Sequence, residues 1–141
     1  MTHSDERGAS AADGLDGLTI LRGNACQPGK TLETFPRPQH VHYIRMESDE
    51  VTGLCPITGQ PDWYTVRIEY GPNDRCIESK SLKLYLWSFR EEGCFCEELA
   101  DQIAADVDEQ AGPRWVEVTL FQKPRGGISI EARARRGERV E

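Results

Sequence analysis

Long apolar stretches are missing from this chain of 141 residues. A helix that crosses a bilayer needs roughly 18 or more consecutive apolar residues, and no apolar run in the sequence approaches that length. The beginning of the chain, MTHSDERGASAADG, also lacks the apolar segment of a signal peptide. We therefore expect a soluble, cytoplasmic protein, and its length suits one domain.

Positive charge is scarce as well. Lys and Arg number 17 against 24 Asp and Glu, which gives a formal net charge of -7. Nonspecific binding to nucleic acid depends on Lys and Arg that displace counterions from phosphate, so the composition argues against a direct nucleic-acid partner. One short basic segment near the end departs from this balance, and we interpret it as a solvated tail: Arg133, Arg135, Arg136 and Arg139.

The cysteines do not form a disulfide framework or a metal-binding pattern. They are five in number, which is odd for a framework of paired thiols, and they stand at positions 26, 55, 76, 94 and 96. No Cys-x-x-Cys occurs, and the Cys94-x-Cys96 pair has no second pair of Cys or His at zinc-site spacing. We expect no resident metal.

The composition divides the chain into three parts. Residues 1–16 are rich in Ser, Ala, Gly and Asp and predict a disordered head. Residues 17–133 form the predicted domain, and residues 134–141 a flexible basic tail. Within the domain, residues 18–21 suggest an edge strand, and the Gly and Pro of residues 23–38 indicate irregular structure.

Two residue periods alternate through the rest of the domain. Alternating apolar residues predict strands over 40–47, 62–70, 115–121 and 128–132. Apolar residues three and four apart predict helices over 78–90 and 95–110. The order strand, strand, helix, helix, strand, strand predicts an α+β protein, an antiparallel four-stranded sheet with two helices on one face. The open edges of so small a sheet favour association between subunits.

Cys55 is the first candidate for chemistry. It lies in a Gly- and Pro-bounded loop between two predicted strands, where a scaffold can present a reactive group. Asp62 follows at the start of the next strand, and a thiol beside an acid–base group is the minimum for covalent catalysis. The alternative is that Cys55 is a small buried apolar residue.

The segment Glu78-Ser-Lys-Ser-Leu-Lys83 is the second candidate. Glu78 and Ser79 stand at a predicted helix N-terminus, which favours anions. Lys80 and Lys83 are three residues apart and share one helix face, where their charges repel. A phosphate-bearing ligand would give this arrangement a purpose, whereas the alternative is an ordinary solvated face.

Two further segments carry candidate binding residues. Arg125 in Pro124-Arg-Gly-Gly127 could hold phosphate, and Gly126 would permit close approach of a ligand to the backbone, although a plain hairpin turn also explains the glycines. Glu97 could accept two N–H bonds from a guanine-like edge while Phe95 stacks on the ring. The alternative for Glu97 is compensation of the helix dipole.

Together these segments resemble one family. Leu54-Cys-Pro-Ile-Thr-Gly-Gln-Pro-Asp62, Glu78-Ser-Lys-Ser-Leu-Lys-Leu-Tyr-Leu-Trp-Ser-Phe-Arg90 and Pro124-Arg-Gly-Gly-Ile-Ser-Ile130 are similar to the signature segments of the 7-cyano-7-deazaguanine reductases of the queuosine pathway, and Leu32-Glu-Thr-Phe35 adds a weaker match. The resemblance runs from about residue 17 to about residue 133. It implies the tunnelling fold, with short one-module subunits that assemble into barrels as two stacked pentameric rings.

The resemblance also implies a mechanism. The Cys55 thiolate would attack the nitrile carbon and form a covalent thioimide, Asp62 would protonate the nitrile nitrogen, and two NADPH would reduce the carbon to a primary amine. Glu97 and Phe95 would hold the deazaguanine, and two residues would reach it across a subunit interface, Glu78 and Ser79. Phosphate of NADPH would be held by Lys80, Lys83 and Arg125, since the sequence has no Gly-x-Gly-x-x-Gly segment.

Cys96 departs from the family pattern, which has a histidine immediately before the substrate-binding glutamate. A thiol is a poorer acid than histidine at neutral pH, so the proton relay at this position would be slower. A second thiol near the nucleophile also suggests a reversible Cys55–Cys96 disulfide, with Cys94 as the second choice.

Two other functions stay open. A relative of the same fold uses its cysteine to form an amidine on transfer RNA, but that relative lacks the Lys-rich segment present here. A non-catalytic interaction module would follow if Cys55 is inert.

Overall fold

The structure is a computed structural model that describes residues 18–22 and 27–140. The predicted head at residues 1–16 and Cys26 lie outside the described residues. No helix among the described residues is long and apolar enough to cross a membrane.

Six strands and three helices make up the described part of the chain. The strands are β1 Thr34–Pro36, β2 Ile44–Leu54, β3 Pro61–Gly71, β4 Arg75–Ile77, β5 Trp115–Arg125 and β6 Ile128–Arg136. The helices are α1 Thr19–Arg22, α2 Ser79–Trp87 and α3 Cys96–Ala111. The main sheet has the order β2-β3-β5-β6 with antiparallel neighbours. The predicted α+β class, four-stranded antiparallel sheet and helix pair are confirmed.

Alternation along β3 explains which face of the sheet is covered. Tyr64, Val66, Ile68 and Tyr70 are all buried, whereas Trp63, directly before Tyr64, is 54% exposed. The buried side chains join one hydrophobic cluster with both helices, to which α3 contributes residues three and four apart: Cys96, Leu99, Ala100, Ile103, Ala104, Val107 and Ala111. Burial of this apolar surface holds α2 and α3 on one face of the sheet.

Local signals fix the ends of the two long helices. The Glu78 carboxylate caps α2 by accepting hydrogen bonds from the backbone N–H of Lys80 at 2.7 Å and of Ser81 at 2.8 Å. Gly112 ends α3 in the left-handed conformation, with φ of 57°, and its N–H donates to the carbonyl of Asp108. Such a conformation favours glycine because it has no Cβ.

Several elements differ from the sequence-based expectations. Residues 19–22 form a short helix instead of an edge strand. β1 and β4 pair as a separate two-stranded sheet, with Phe35 opposite Cys76, and no periodic pattern of apolar residues predicted this sheet. β2 continues to Leu54 through a bulge between Ser48 and Val51, because pairing with β3 extends it beyond its apolar alternation.

The last strand is also longer than predicted. β6 runs to Arg136, through the expected boundary between domain and tail at residue 133. Pairing with β5 explains the extra length, because the register continues until Arg136 lies opposite Val116. Three of the four arginines interpreted as solvated continue as strand, and Arg135 and Arg139 both contact the buried Glu117. The division of the chain into three parts otherwise stays a prediction.

Candidate active site

Cys55 lies at one end of the main sheet, in the loop between β2 and β3. The loop is closed on itself by two backbone hydrogen bonds of 2.8 Å, from Cys55 N–H to the Gln60 carbonyl and from Gly59 N–H to the Cys55 carbonyl. Gly59 has a φ of 69°, a conformation that the turn requires and that glycine adopts at low cost. The thiol is partly exposed, so Cys55 is accessible and not a core residue.

The same loop makes the Cys55 thiol acidic. Hydrogen bonds from the Thr58 side chain, then from the backbone of Thr58 and of Ile57, lower the pKa of Cys55 to about 7, and Arg125 contributes in the same direction. These donors favour the charged form of the sulfur. A large fraction of Cys55 is therefore thiolate at neutral pH, and the thiolate is the nucleophilic form.

Asp62 reaches the same end of the sheet from the beginning of β3. It stands opposite Gly53 in the β2–β3 pairing, and its side chain is only 5% exposed. The carboxylate accepts a hydrogen bond from Arg125 Nη1 in an ion pair. Arg125 also contacts the Cys55 thiol, and this contact is the foremost cause that raises the pKa of the guanidinium. Arg125 therefore links the two predicted reacting groups.

The β5–β6 hairpin explains why Arg125 points to this site. Arg125 ends β5 and stands opposite Ile128, and the two residues between them are Gly126 and Gly127, with φ of 58° and 79°. Positive φ at both central positions is the backbone of a tight hairpin turn, which glycine suits. Gly126 thus shapes the turn that ends β5 at Arg125, and its predicted contact with cofactor stays a prediction.

Two buried groups, Tyr64 and Cys96, and the partly buried Cys94 lie near Asp62. The Tyr64 hydroxyl has no hydrogen-bond partner among the described residues, and burial, followed by the charge of Asp62, raises the pKa of this phenol. Burial also raises the pKa of the Cys94 thiol and raises that of Cys96 to about 11, with Asp62 adding to both. A thiol with that pKa is a very weak acid at neutral pH.

Cys96 occupies a core position. Its side chain is 3% exposed and its sulfur lies 3.9 Å from the Leu120 carbonyl oxygen, because the helical period of α3 turns position 96 inward. Phe95 is 48% exposed and Glu97 is exposed, so they stand on the outer side of the same helix start. The catalytic role of Cys96 and its disulfide with Cys55 stay predictions, as does substrate binding by Phe95 and Glu97.

Glu78 and Ser79 begin α2 on a different element. The carboxylate of Glu78 is 5% exposed and is used by the helix cap described above. Ser79 is exposed and faces a cavity. Their predicted contact with substrate across a subunit interface stays a prediction.

The two predicted phosphate-binding lysines have different surroundings. Lys80 is partly buried, and its Nζ donates to the carbonyl oxygen of Ile20 at 3.1 Å. Lys83 is exposed and lines a cavity of about 690 Å³ between α2 and the β2–β3 part of the sheet. Ser79, Trp87 and Glu47 line the same cavity. The third predicted phosphate ligand, Arg125, is instead beside Cys55 and Asp62.

Two residues of the site were missed in the sequence. Thr58 was part of the loop motif, but its hydrogen bond to the Cys55 sulfur depends on how the loop closes. Tyr64 was recognised only as an apolar position of β3, and the proximity of its hydroxyl to Asp62 follows from residues two apart lying on the same face of a strand. No group of three or more His, Cys, Asp or Glu side chains within 18–22 and 27–140 is arranged to hold a metal ion.

The fold and site together define a small α+β protein with an ionisable loop thiol beside a buried carboxylate. A family model described as QueF-like protein matches residues 61–141. The NADPH-dependent 7-cyano-7-deazaguanine reductase of Anaeromyxobacter sp. (strain Fw109-5) is 49% identical over 115 residues, which cover 80% of this chain and 94% of that protein. The reductase of the same name from Syntrophus aciditrophicus (strain SB) is 47% identical over 122 residues, which cover 85% of this chain and 86% of that protein.

A solved structure gives the same result for the fold. The crystal structure of the archaeosine synthase QueF-Like in the apo form matches with a TM-score of 0.66 and 25% identity, over 70% of this chain and 97% of that chain. This likeness confirms the tunnelling fold. The chain belongs to the QueF-like family, and within it to the NADPH-dependent 7-cyano-7-deazaguanine reductases.

Proposed function

We propose that this protein reduces the nitrile of 7-cyano-7-deazaguanine to an aminomethyl group with two NADPH, through a covalent thioimide on Cys55. The observation that carries the proposal is the partly exposed Cys55 thiol, whose pKa is lowered to about 7, beside the Asp62–Arg125 ion pair. Relatives that share about half of the aligned residues bear the name of this reductase. The product would serve queuosine biosynthesis and so transfer RNA modification.

The thiolate suits the first step of this reaction. Cys55 sulfur forms a bond to the nitrile carbon, one π bond of the nitrile breaks, and its electron pair on nitrogen takes a proton. The C=N carbon of the resulting thioimide is electrophilic and accepts hydride more readily than the carbon of a nitrile does. The hydrogen bonds that stabilise the Cys55 thiolate also make it a better leaving group, which is needed when the first reduction product expels the sulfur.

The cavity beside α2 offers groups that fit NADPH. Lys83 can supply a cation for phosphate, while the carboxylates of Glu47 and Glu50 can accept hydrogen bonds from ribose hydroxyls. NADPH, when bound, supplies the hydride for each reduction step. Lys80 lies on the same helix and keeps its predicted cofactor role as part of this proposal.

A homo-oligomer is part of the proposal. β2 and β6 are the outer strands of the four-stranded sheet, and their free backbone groups favour pairing with another subunit. Such pairing would bring Glu78 and Ser79 of one subunit towards Cys55 of another, in the decamer of two pentameric rings that the family resemblance implies. Light scattering of the pure protein would measure the number of subunits. A cytoplasmic location and the absence of a nucleic-acid partner stay predictions.

The amidine-forming alternative has less support. Identity to the archaeosine synthase QueF-Like is 25%, against 49% to a reductase, and Lys83 of the Lys-rich segment lines an open cavity. An inert interaction module would not need a loop that lowers the pKa of its thiol.

The test uses the pure protein with 7-cyano-7-deazaguanine. Without NADPH, intact-protein mass spectrometry should show one substrate added per chain, together with a change in ultraviolet absorbance. With NADPH, two NADPH should be oxidised for each aminomethyl product. Lys83→Ala should raise the KM for NADPH while the adduct yield without NADPH is unchanged, because Lys83 lies outside the Cys55 loop. Absence of both adduct and NADPH oxidation would disprove the proposed function.

A further inference from the structure

Trp87, the last residue of α2, is an exposed aromatic residue at the edge of a cavity. Its side chain is 39% exposed, whereas the neighbouring rings of Tyr85 and Phe89 are buried in the core. Trp87 lines the cavity of about 690 Å³ beside α2 together with Lys83, which precedes it by four residues. Residues four apart lie on the same face of a helix. The indole and the ammonium group therefore border the same space, and packing of the core does not account for the position of the indole.

Arg90 lies over the ring of Trp87. The chain turns after α2 through a hydrogen bond of 3.2 Å from the Arg90 N–H to the Trp87 carbonyl, and the guanidinium carbon lies 4.4 Å from the ring centroid. Arg67 and Arg139 also lie over aromatic rings, and each of them is paired with a carboxylate. Arg90 is exposed and has no ion pair with a carboxylate in the described part of the chain. Its guanidinium N–H donors can therefore bind an external anion.

An indole next to an arginine fits the adenosine end of NADPH. Nucleic-acid bases stack on exposed aromatic side chains, and an indole has two faces, so that a guanidinium on one face leaves the other for adenine. A guanidinium binds phosphate oxygens in a bidentate manner. The ribose that carries adenine in NADPH also bears the 2′-phosphate, which NADH lacks. A cation that contacts the stacking residue is therefore suited to this phosphate. Apolar side chains of Met46 and Leu82 line the same cavity and suit a flat base.

We propose that Trp87 and Arg90 form the adenosine subsite for NADPH: adenine stacks on the Trp87 indole, and the Arg90 guanidinium binds the 2′-phosphate. The inference rests on the proposed function, which uses this cavity for NADPH, and it adds the residues that distinguish NADPH from NADH. No bond forms or breaks at this subsite, so Trp87 and Arg90 determine cofactor specificity and are not catalytic. Lys83, one helical turn before Trp87, is then the cation for the pyrophosphate.

The charges around the cavity explain why a second cation is needed. Glu47 and Glu50 line the cavity, and a carboxylate repels a phosphate. Glu47 forms an ion pair of 2.9 Å with Arg67, which compensates its charge, whereas Glu50 has no ion pair among the described residues. Without Arg90, the single charge of Lys83 would be offset by that of Glu50. Loss of Arg90 should therefore weaken the binding of a ligand with two phosphates more than that of a ligand with one.

Trp63 and Lys123 provide a matched control for this arrangement. Trp63 is 54% exposed, and the Lys123 ammonium lies over its ring at 6.0 Å. Lys123 also has no ion pair in the described part of the chain. Neither residue lines the cavity beside α2. This pair has the same chemistry as Trp87 and Arg90 but no adjacent cavity, so its removal should leave nucleotide binding unchanged.

The experiment measures nucleotide binding in the absence of nitrile and of NADPH. Calorimetric titration compares adenosine 2′,5′-bisphosphate with adenosine 5′-monophosphate, which lacks the 2′-phosphate. The proteins are the wild type, Arg90→Gln, Arg90→Lys, Trp87→Leu, Trp87→Phe and the controls Lys123→Gln and Trp63→Leu. Circular dichroism checks that each variant is folded, and the conservative variants Arg90→Lys and Trp87→Phe keep the test valid if a larger change disturbs the end of α2.

Arg90→Gln should weaken binding of the bisphosphate about tenfold or more, the loss expected for a charge-assisted hydrogen bond, and leave binding of the monophosphate unchanged. Arg90→Lys should recover part of this loss because it keeps the charge without the planar fork of donors. Trp87→Leu should weaken both nucleotides alike, on the order of tenfold, because both carry adenine, and Trp87→Phe should retain most of the affinity. In turnover, Arg90→Gln should raise the KM for NADPH and not the KM for NADH.

Four outcomes would overturn the inference. They are failure of the wild type to prefer the bisphosphate, an unchanged preference in Arg90→Gln, equal weakening of both nucleotides in Arg90→Gln, and equal effects in the Trp63 and Lys123 controls. The proposed function is tested separately by the substrate adduct at Cys55, which forms without NADPH. An adduct together with an unchanged nucleotide preference in Arg90→Gln rejects the subsite alone. Absence of the adduct rejects the proposed reaction, and the nucleotide titrations then still decide whether Trp87 and Arg90 bind the 2′-phosphate.

Discussion

The two ends of the main sheet each hold an arginine against a buried carboxylate, but the surroundings of the two arginines differ. At one end Arg125 pairs with Asp62 beside the partly exposed Cys55. At the other end Arg139 donates to Glu117 at 2.8 Å and to Glu69 at 3.1 Å. The first arginine lies next to a loop thiol, and the second lies over aromatic rings.

The surroundings of the two arginines explain the difference. Arg139 lies 4.6 Å from the Trp115 ring and 5.9 Å from the Tyr43 ring, and its side chain is 22% exposed against 38% for Arg125. Cation–π contacts and two carboxylates hold it in place. The same kind of ion pair is thus enclosed by aromatic rings at Arg139 and lies open beside a partly exposed thiol at Arg125.

Loss of the Cys55 thiol should produce the largest effect and separate the two ends most clearly. Cys55→Ala should abolish both the substrate adduct and turnover, since no other thiol of the described chain has a lowered pKa. Stability to urea should stay close to that of the wild type because the side chain lies in an exposed loop. Mass spectrometry with and without substrate measures the first effect. Cys94→Ala, the control, should keep the adduct, and an adduct on Cys55→Ala would refute the assignment.

Removal of Arg139 should lower stability and leave the reaction at Cys55 unchanged. Arg139→Ala leaves Glu117 and Glu69 with fewer donors and removes contacts with Trp115, so we expect a loss of about 1–3 kcal/mol in the free energy of unfolding. The adduct rate at Cys55 should not change. Urea unfolding checks the first expectation, with Arg133→Ala as control, whose pair with Glu131 is exposed and should contribute less than about 0.5 kcal/mol. A slower adduct in Arg139→Ala would show that the two ends are coupled.

The carboxylate of Glu117 should make the stability of this far end depend on pH. Burial raises its pKa, but hydrogen bonds and charges from Arg139 and Arg135 outweigh burial and lower it from 4.5. A lowered pKa in the folded state means that the stabilisation is present above pH 4.5 and is lost as pH falls through the folded-state value. Glu117→Gln should therefore be less stable than the wild type at pH 7, with a smaller difference at pH 3. Urea unfolding at several pH values measures this, and a difference that is constant down to pH 3 would contradict it.

Tyr64 should give the smallest effect and sharpen the description of the reactive end. Its buried hydroxyl has no hydrogen-bond partner among the described residues. Tyr64→Phe should therefore change the free energy of unfolding by less than about 1 kcal/mol, and we expect the change to be a gain in stability. Tyr70→Phe is the matched control, because the Tyr70 hydroxyl accepts a hydrogen bond from Ile77 N–H at 2.8 Å and its removal should cost about 1 kcal/mol. Thermal unfolding compares the two. Equal losses would mean that the Tyr64 hydroxyl has a partner, with Asp62 as the nearest candidate.

Elements with local signals could be predicted from the order of residues alone. The alternation in β3, the three-and-four spacing in α3 and the Gly126–Gly127 turn each depend on residues close along the chain, and the structure has all three. The loop position of Cys55 and the nearness of Asp62 came from the same kind of signal. Family resemblance, carried by the motifs around these residues, was sufficient for the fold, which the comparisons confirm.

Contacts between residues distant along the chain could not be predicted in this way, because they depend on how the strands pair. Arg125 was predicted to bind phosphate with Lys80 and Lys83, and that role stays a prediction. The pairing of β3 with β5 places Arg125 in contact with Asp62, which lies 63 residues earlier in the chain. The pairing of β1 with β4 and the ion pair of Arg139 with Glu117 also join residues that are far apart in the sequence. The partner of a charged residue cannot be read from the neighbouring sequence, because strand register and the buried face of the sheet decide which charges meet.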